Sequence, residues 1–221
     1  MLEAILFDLD GTLADTDSIH FSVWQDILIR YDLDIDRAFY RQRISGRTNS
    51  RIIKDIIPQL SLEDAWKLAT EKEESYRRIA KSLLPTPGLD KLLSLTDRAN
   101  LKRAIVTNAP EDNAVYMLQI LGLSDTFPTI IMAKDAPPGK PDPAPYLLAL
   151  SRLETQSHNA IAVEDSIAGI RSAVGAGIYT IGITTSYPAS DLIDAGASMI
   201  ISDFNDRQLW NFLDGKTKGR D

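Results

Sequence analysis

Ile5-Leu6-Phe7-Asp8-Leu9-Asp10-Gly11-Thr12-Leu13 is a short apolar run that ends in two carboxylates spaced i, i+2 and a glycine turn. The apolar residues from Ala4 to Phe7 suit a strand buried on both faces. The carboxyl end of a parallel strand is where open α/β sheets place their ligands, and period-two geometry sends Asp8 and Asp10 the same way. Two adjacent acids repel unless something pairs them. A hard cation does so, since magnesium is held by one or two carboxylates together with substrate phosphate oxygens. Such a pair can also divide labour, one carboxylate attacking phosphorus while the other moves protons. The competing reading is that either acid only turns or caps the chain.

Working outward, apolar runs recur at Arg103 to Val106, Thr129 to Met132, Ala160 to Val163 and Tyr179 to Ile183, each followed by a polar turn and a helix-length segment. This alternation predicts a Rossmann-like α/β core with a parallel sheet covered on both faces. Between the first two runs, Asp15 to Pro85 has helical periodicity and no convincing strand, so it reads as an inserted helical segment. Helices are expected at Ile19 to Ile29, Arg47 to Ile57 and Ser61 to Leu84, the last opened by Ser61 with Asp64 three residues on, a variant of the capping box. The expected division is a core of residues 1–14 and 86–214, a helical insertion of residues 15–85, and a frayed tail of residues 215–221 that lacks apolar periodicity.

Composition sets outer bounds. At 221 residues, 44% hydrophobic and 25% charged, the chain suits one core domain plus a smaller insertion. The net charge of −7 argues against nucleic-acid binding, which relies on basic stripes. An acid soon after a few apolar residues at the N-terminus, no basic leader and no run of about 18 apolar residues argue against a signal peptide or membrane partner. With no cysteine there is neither a disulfide framework nor a thiolate metal site, and a cytoplasmic location is the default expectation.

Three further strand ends repeat the theme of the first. Thr107-Asn108-Ala109 offers a hydroxyl, an amide and backbone N–H groups at a helix start, where phosphate oxygens bind, although a Thr-Asn here is more often an N-cap. Lys140 stands in Pro137-Pro138-Gly139-Lys140-Pro141, a rigid setting for a point charge or a solvated loop lysine. Glu164-Asp165-Ser166 supplies a second pair of acids, or a helix start capped by Asp165 or Ser166.

That ordered set resembles the haloacid dehalogenase-like hydrolase superfamily over nearly the whole chain. Asp8-Leu9-Asp10-Gly11-Thr12-Leu13 matches its first motif, Thr107 the second, Lys140 the third and Glu164-Asp165 the fourth. The resemblance implies that Asp8 is the nucleophile, Asp10 the general acid and base, and that Thr107 and Lys140 hold the transferring phosphoryl group. It implies magnesium bound by the Asp8 side chain, the Asp10 backbone carbonyl and Asp165, with Glu164 a ligand or directly behind one. It also implies that the helical insertion is a cap that closes over substrate.

Within the superfamily the chain looks most like the β-phosphoglucomutase and sugar phosphatase subgroup, through Asp15-Thr16-Asp17 followed by His20, through Gly46, and through Lys72 four residues before Tyr76. By that likeness His20, Gly46, Arg47 and Lys72 join Asn108 and Ala109 as substrate-binding candidates. His20 could instead be a packed hinge residue and Lys72 part of a solvated helix face. Mutases of the subgroup tend to carry Gly-x-Ser-Arg, whereas this chain has Gly46-Arg47-Thr48-Asn49, and Thr107-Asn108-Ala109 replaces an expected serine-rich stretch. Both departures favour a phosphatase, although Arg47 or Arg51 could reach the position of the displaced arginine.

Dehalogenation is disfavoured because those relatives lack an acid at the Asp10 position, and phosphonate cleavage because its altered first motif is absent. The expectation is therefore a magnesium-dependent phosphatase, monomeric as lid-bearing enzymes often are, acting on a small phosphorylated metabolite such as a sugar phosphate. A phosphoglucomutase-type transferase and a catalytically silent binding module are the alternatives.

Overall fold

The computed structural model describes residues 1–217. Six parallel strands form its sheet, β1 (Ala4–Phe7), β2 (Lys102–Thr107), β3 (Thr129–Met132), β4 (Ala160–Glu164), β5 (Tyr179–Ile183) and β6 (Met199–Ile201), in the order β3-β2-β1-β4-β5-β6. The first strand is central: Phe7 stands opposite Ile105 of β2 on one side and Val163 of β4 on the other. The strand order reverses beside β1, so its carboxyl end opens onto the crevice where such sheets bind ligands.

Alternation along each strand builds two different layers. Ile5, Phe7, Ile105, Val163 and Ile181 face a core of large side chains shared with α5 (Leu89–Arg98), α6 (Glu111–Ile120) and α10 (Arg207–Thr217). Phe7 meets Phe127 and Phe204 edge to face, at 5.7 and 6.2 Å between ring centroids. The opposite face carries Ala4, Leu6, Ala104 and Ala162, and the small residues let α7 (Ala144–Arg152) and α8 (Ile167–Gly175) lie close on the sheet. Helix α9 (Ala189–Asp194) packs through Leu192 beside Ile170 and Tyr187.

Between β1 and α5 the chain forms α1 (Asp17–Leu28), α2 (Arg37–Arg43), α3 (Asn49–Ile56) and α4 (Leu62–Ile79). These helices enclose a cluster of their own that includes Val23, Trp24, Ile27, Ile52, Ile53 and Leu68. Burying each such side chain contributes about 1.5–3 kcal/mol. The outgoing and returning strands of chain touch, with Ala14 bridged to Pro85 and Thr86 N–H donating to Leu13 at 2.8 Å.

Several boundaries differ from the sequence reading. Helix α4 starts as expected, with Ser61 Oγ accepting from Asp64 N–H at 3.1 Å, but stops at Ile79 rather than Leu84. Proline at 85 disfavours helix at Leu84, and Ala80 already has a non-helical ψ of 52°. Helix α2 is an addition: Asp36 caps it by accepting from Phe39 N–H at 2.7 Å, and its seven residues are too few for a visible period. Strand β6 is also an addition, three residues long and specified by pairing with β5 rather than by pattern.

The tail expectation is corrected in part. Helix α10 continues through Thr217, so Gly215 to Thr217 are helical, with Lys216 Nζ placed 5.6 Å from the Phe212 ring centroid. The helix is carried by Leu209 and Leu213, both fully buried, and its last turn extends from that anchored segment. The remainder of the expected tail, residues 218–221, lies outside the described residues. No helix among the described residues is long and apolar enough to cross a membrane.

Candidate active site

Asp8 is the residue directly after β1, and its N–H continues the sheet by donating to Val163 at 3.0 Å. Two other strand ends meet it. Lys140, from the loop after β3, places Nζ 2.5 Å from Asp8 Oδ1 and 2.5 Å from Glu164 Oε1, and is only 3% exposed. The solvated-loop reading of this lysine is thereby excluded. Glu164 closes β4, is fully buried, and also accepts from Tyr146 Oη at 2.6 Å. Asp165 follows it and accepts from Ser186 Oγ, while Ser166 caps α8 by accepting from Gly169 N–H at 3.0 Å. The alternative of Asp165 as the cap is thus replaced by Ser166.

Two glycines make room for these acids. A Cβ at Gly169 would lie 1.8 Å from Glu164 Oε2, and one at Gly11 would lie 2.0 Å from Asp165 Oδ2. Gly11 also has φ +77°, a left-handed conformation that glycine adopts without steric cost. Gly11 was part of the quoted motif; nothing local in the sequence marked Gly169 as indispensable.

Ligand atoms of Asp8, Glu164 and Asp165 lie within 4.8 Å of one another, all buried. Burial first, and Glu164 second, push Asp8 up to about 8 against the opposing pull of Lys140. Burial also raises Asp165 well above the carboxylate range, with Asp8 and Glu164 adding to it. Burial works against the Lys140 charge, but Asp8 and Glu164 together hold it above the usual lysine range. Three carboxylates against one ammonium leave an excess of buried negative charge that a divalent, oxygen-seeking cation would offset. The donor set therefore fits magnesium. Lysine binds two of the three acids, so Asp165 and the second oxygen of Asp8 are the atoms best placed to accept a cation.

Asp10 does not join that carboxylate group. It lies beyond the strand in the turn, and its Oδ1 accepts from Thr16 Oγ1 at 2.8 Å and lies 3.0 Å from His20 Nε2. Burial opposes its charge, yet the His20 and Thr16 contacts, helped by Lys72, hold it below the usual range. The period-two argument fails in detail because β1 ends at Phe7, although both acids line the same cavity. The Asp10 side chain is therefore separate from the candidate metal ligands.

Thr107 closes β2 and is buried; its Oγ1 accepts from Ala109 N–H at 2.9 Å and keeps its own proton for donation. Neither it nor Asn108 caps α6, which begins after Pro110. Asn108 ties the loops together instead: Oδ1 accepts from Lys140 N–H at 3.1 Å, and Nδ2 donates to Gly46 at 3.1 Å and Lys140 at 3.3 Å through their carbonyls. Ala109's N–H is satisfied within its own turn rather than left open.

The helical segment roofs a cavity of about 570 Å³ lined by residues from both parts of the chain. Lys72, 3% exposed, is no solvated helix-face lysine: Nζ lies 2.9 Å from His20 Nδ1 and 3.0 Å from Glu73 Oε1. An ammonium can only donate, so His20 Nδ1 accepts and Nε2 carries the proton facing Asp10. The imidazole stacks on Tyr76 with centroids 4.2 Å apart. Gly46 adopts φ +73° against Ser166, where a Cβ would lie 2.9 Å from the serine hydroxyl. Arg47 pairs with Asp55 and donates to the Arg43 carbonyl at 2.8 Å. Arg51 reaches the Lys140 carbonyl at 3.1 Å.

Glu73, Asn113, Tyr146 and Ser186 escaped the sequence reading, and Thr16 entered it only as part of Asp15-Thr16-Asp17, with no role of its own. Only Ser186 carried a usable signal, since Thr184-Thr185-Ser186 follows β5 as the other site residues follow their strands.

Comparison with known proteins agrees with this geometry. A phosphorylated carbohydrates phosphatase of Thermotoga maritima is 29% identical over 204 residues, covering 90% of this chain and 94% of that one. A fructose-1-phosphate phosphatase of Escherichia coli is 30% identical, covering 81% and 95%. The crystal structure of a β-phosphoglucomutase from Clostridium difficile superposes with a TM-score of 0.85 at 26% identity, covering 98% of this chain and 97% of that one. Residues 5–183 match the family model of haloacid dehalogenase-like hydrolases, a span that contains every strand end described above except the last, β6, and the chain belongs to that family.

Proposed function

We propose that the protein is a magnesium-dependent phosphatase that hydrolyses a phosphorylated sugar or similar small metabolite through a phosphoryl group carried on Asp8. The observation that carries this reading is the convergence of Asp8, Lys140 and Asp165 at the floor of the cavity, with Glu164 buried against Lys140. The phosphatase relatives act in the same direction. Asp8 attacks phosphorus in line, forming an Asp8 O–P bond as the ester P–O bond breaks, and the leaving oxygen takes a proton from Asp10. Water then attacks the phosphoryl group, gives a proton to Asp10 and releases Asp8.

Lys140 offsets charge between Asp8 and the incoming phosphate, and Thr107 donates its hydroxyl to a phosphoryl oxygen. The metal ion supplies charge neutralisation on the phosphoryl oxygens when bound. Asp10, held as a carboxylate by His20 and Thr16, is arranged for the hydrolytic half. An adjacent phosphate dianion raises its proton affinity for the first half. Residues 15–85 act as a cap that excludes water, with Arg51 and Asn108 joining cap to core.

A mutase must hold a second phosphate. Arg47 is drawn to Asp55 and Arg51 to the Lys140 carbonyl, so neither guanidinium is presented for one. Phosphorus NMR of the protein with magnesium and a pool of sugar phosphates tests the reading. Growth of inorganic phosphate that stops with EDTA or in Asp8→Asn supports it. Isomerisation without phosphate release sinks it in favour of the mutase, and activity retained in Asp8→Asn removes Asp8 as nucleophile.

A further inference from the structure

The cavity contains four lysine or arginine residues among its described lining, and each already has a carboxylate partner: Lys140 with Asp8 and Glu164, Lys72 with Glu73, Arg47 with Asp55, and Lys134 with Glu111. The floor combines its charge with that of a metal ion and can receive a phosphate. The roof has no such surplus.

Glu73 is the carboxylate of this set that is buried yet lies outside the strand-end motifs. It is 7% exposed on α4, and its two oxygens accept from Lys72 Nζ and Asn49 Nδ2 on one side and Asn113 Nδ2 on the other. Asn113 belongs to α6 in the core and in turn accepts from Arg77 at 2.6 Å. Three donors from three helices thus hold one carboxylate rigidly at the cavity wall. A fixed carboxylate repels an anionic group brought beside it, at a cost of several kcal/mol when desolvated, and accepts hydrogen bonds from hydroxyl groups. Asn49, Thr48 and Ser50 add hydroxyl and amide groups to the same lining.

Building on the phosphatase reading, we infer that Glu73 is a specificity residue: it restricts the site to phosphate monoesters whose other end is uncharged and rich in hydroxyl groups, and rejects a second phosphate or a carboxylate there. The neutral end forms hydrogen bonds with Glu73 and the neighbouring amides, while the single phosphate occupies the floor.

The test measures kcat/KM of the magnesium-loaded protein for fructose 1-phosphate and fructose 1,6-bisphosphate, with p-nitrophenyl phosphate as a probe too short to require the roof. Two variants are compared with the unaltered chain. Glu73→Gln keeps the shape and removes the charge; Asp55→Asn, at an exposed position, releases Arg47 without touching the core. The monophosphate should be preferred by the unaltered protein, and that preference should shrink about tenfold in Glu73→Gln. Asp55→Asn should move it the same way by a smaller factor. Equal use of both sugar esters by the unaltered protein, or a preference unchanged in Glu73→Gln, overturns the inference while leaving the phosphatase reading intact. No turnover of any probe, p-nitrophenyl phosphate included, overturns both.

Discussion

Lys140 and Asp8 are separated by 132 positions in the chain, yet Nζ of the lysine lies 2.5 Å from Oδ1 of the aspartate. The same ammonium serves Glu164, so one cation is shared by two buried acids that would otherwise repel each other. Replacing it by a neutral side chain leaves both acids without their counter-charge, at a cost of about 3–5 kcal/mol. Lys140→Met should therefore lower the chemical denaturation midpoint at pH 8 and reduce turnover at least about 100-fold. Guanidinium titration and steady-state kinetics check it, and unaltered turnover would remove Lys140 from the site.

The pH dependence follows from Asp8, whose value of about 8 in the fold compares with 3.8 for the free side chain. Between those values the folded state holds a proton that the unfolded chain has lost. Stability of the metal-free protein should therefore fall as pH rises across that window. Magnesium competes with that proton, so it should raise Tm more at pH 8 than at pH 5. Thermal melts with and without the ion at both pH values decide it; equal increments would mean that the ion does not bind the Asp8 carboxylate.

Gly169→Ala forces a methyl group to within 1.8 Å of Glu164 Oε2. The wall must shift, which costs about 1–3 kcal/mol for an overpacked position, and Glu164 must move with respect to Lys140. Loss of both Tm and turnover is expected. Gly122→Ala is the contrast: φ is +69° but nothing lies within 4 Å, so only the left-handed backbone cost of about 1–2 kcal/mol applies, with kinetics unchanged. Differential scanning fluorimetry and initial rates on the pair separate the two effects.

Arg51 joins α3 to the Lys140 carbonyl at 3.1 Å, the only hydrogen bond by which that guanidinium crosses to the core among those of the described residues. Arg51→Ala should loosen closure over the loop bearing Lys140 and lower kcat/KM by about tenfold, equivalent to ~1.4 kcal/mol. The folded core should keep its Tm. A Tm loss as large as that of Lys140→Met would show that Arg51 holds the fold rather than the closed arrangement.

Five of the six strands among the described residues were legible because each is a buried apolar run flanked by turn residues. The sixth, Met199–Ile201, is too short to carry a period and exists because β5 offers it an edge. The strand-end residues Asp8, Thr107, Lys140, Glu164 and Asp165 were legible too, since a parallel sheet delivers all its carboxyl ends to one rim. Their partners were not: Tyr146 and Ser186 reach Glu164 and Asp165 across the sheet rim from elements distant in sequence.

By itself the sequence determined the alternating architecture, the inserted helices and the order in which chemistry-bearing residues arrive at the sheet's edge, because periodicity and turn chemistry are local properties of the chain. Only the tertiary structure decided how the charges pair. It set Lys140 between Asp8 and Glu164, turned Asp10 toward His20 and Thr16, and buried Lys72 against Glu73. Those outcomes depend on distances of a few ångströms between segments far apart in sequence, where burial strengthens each interaction and water no longer screens it.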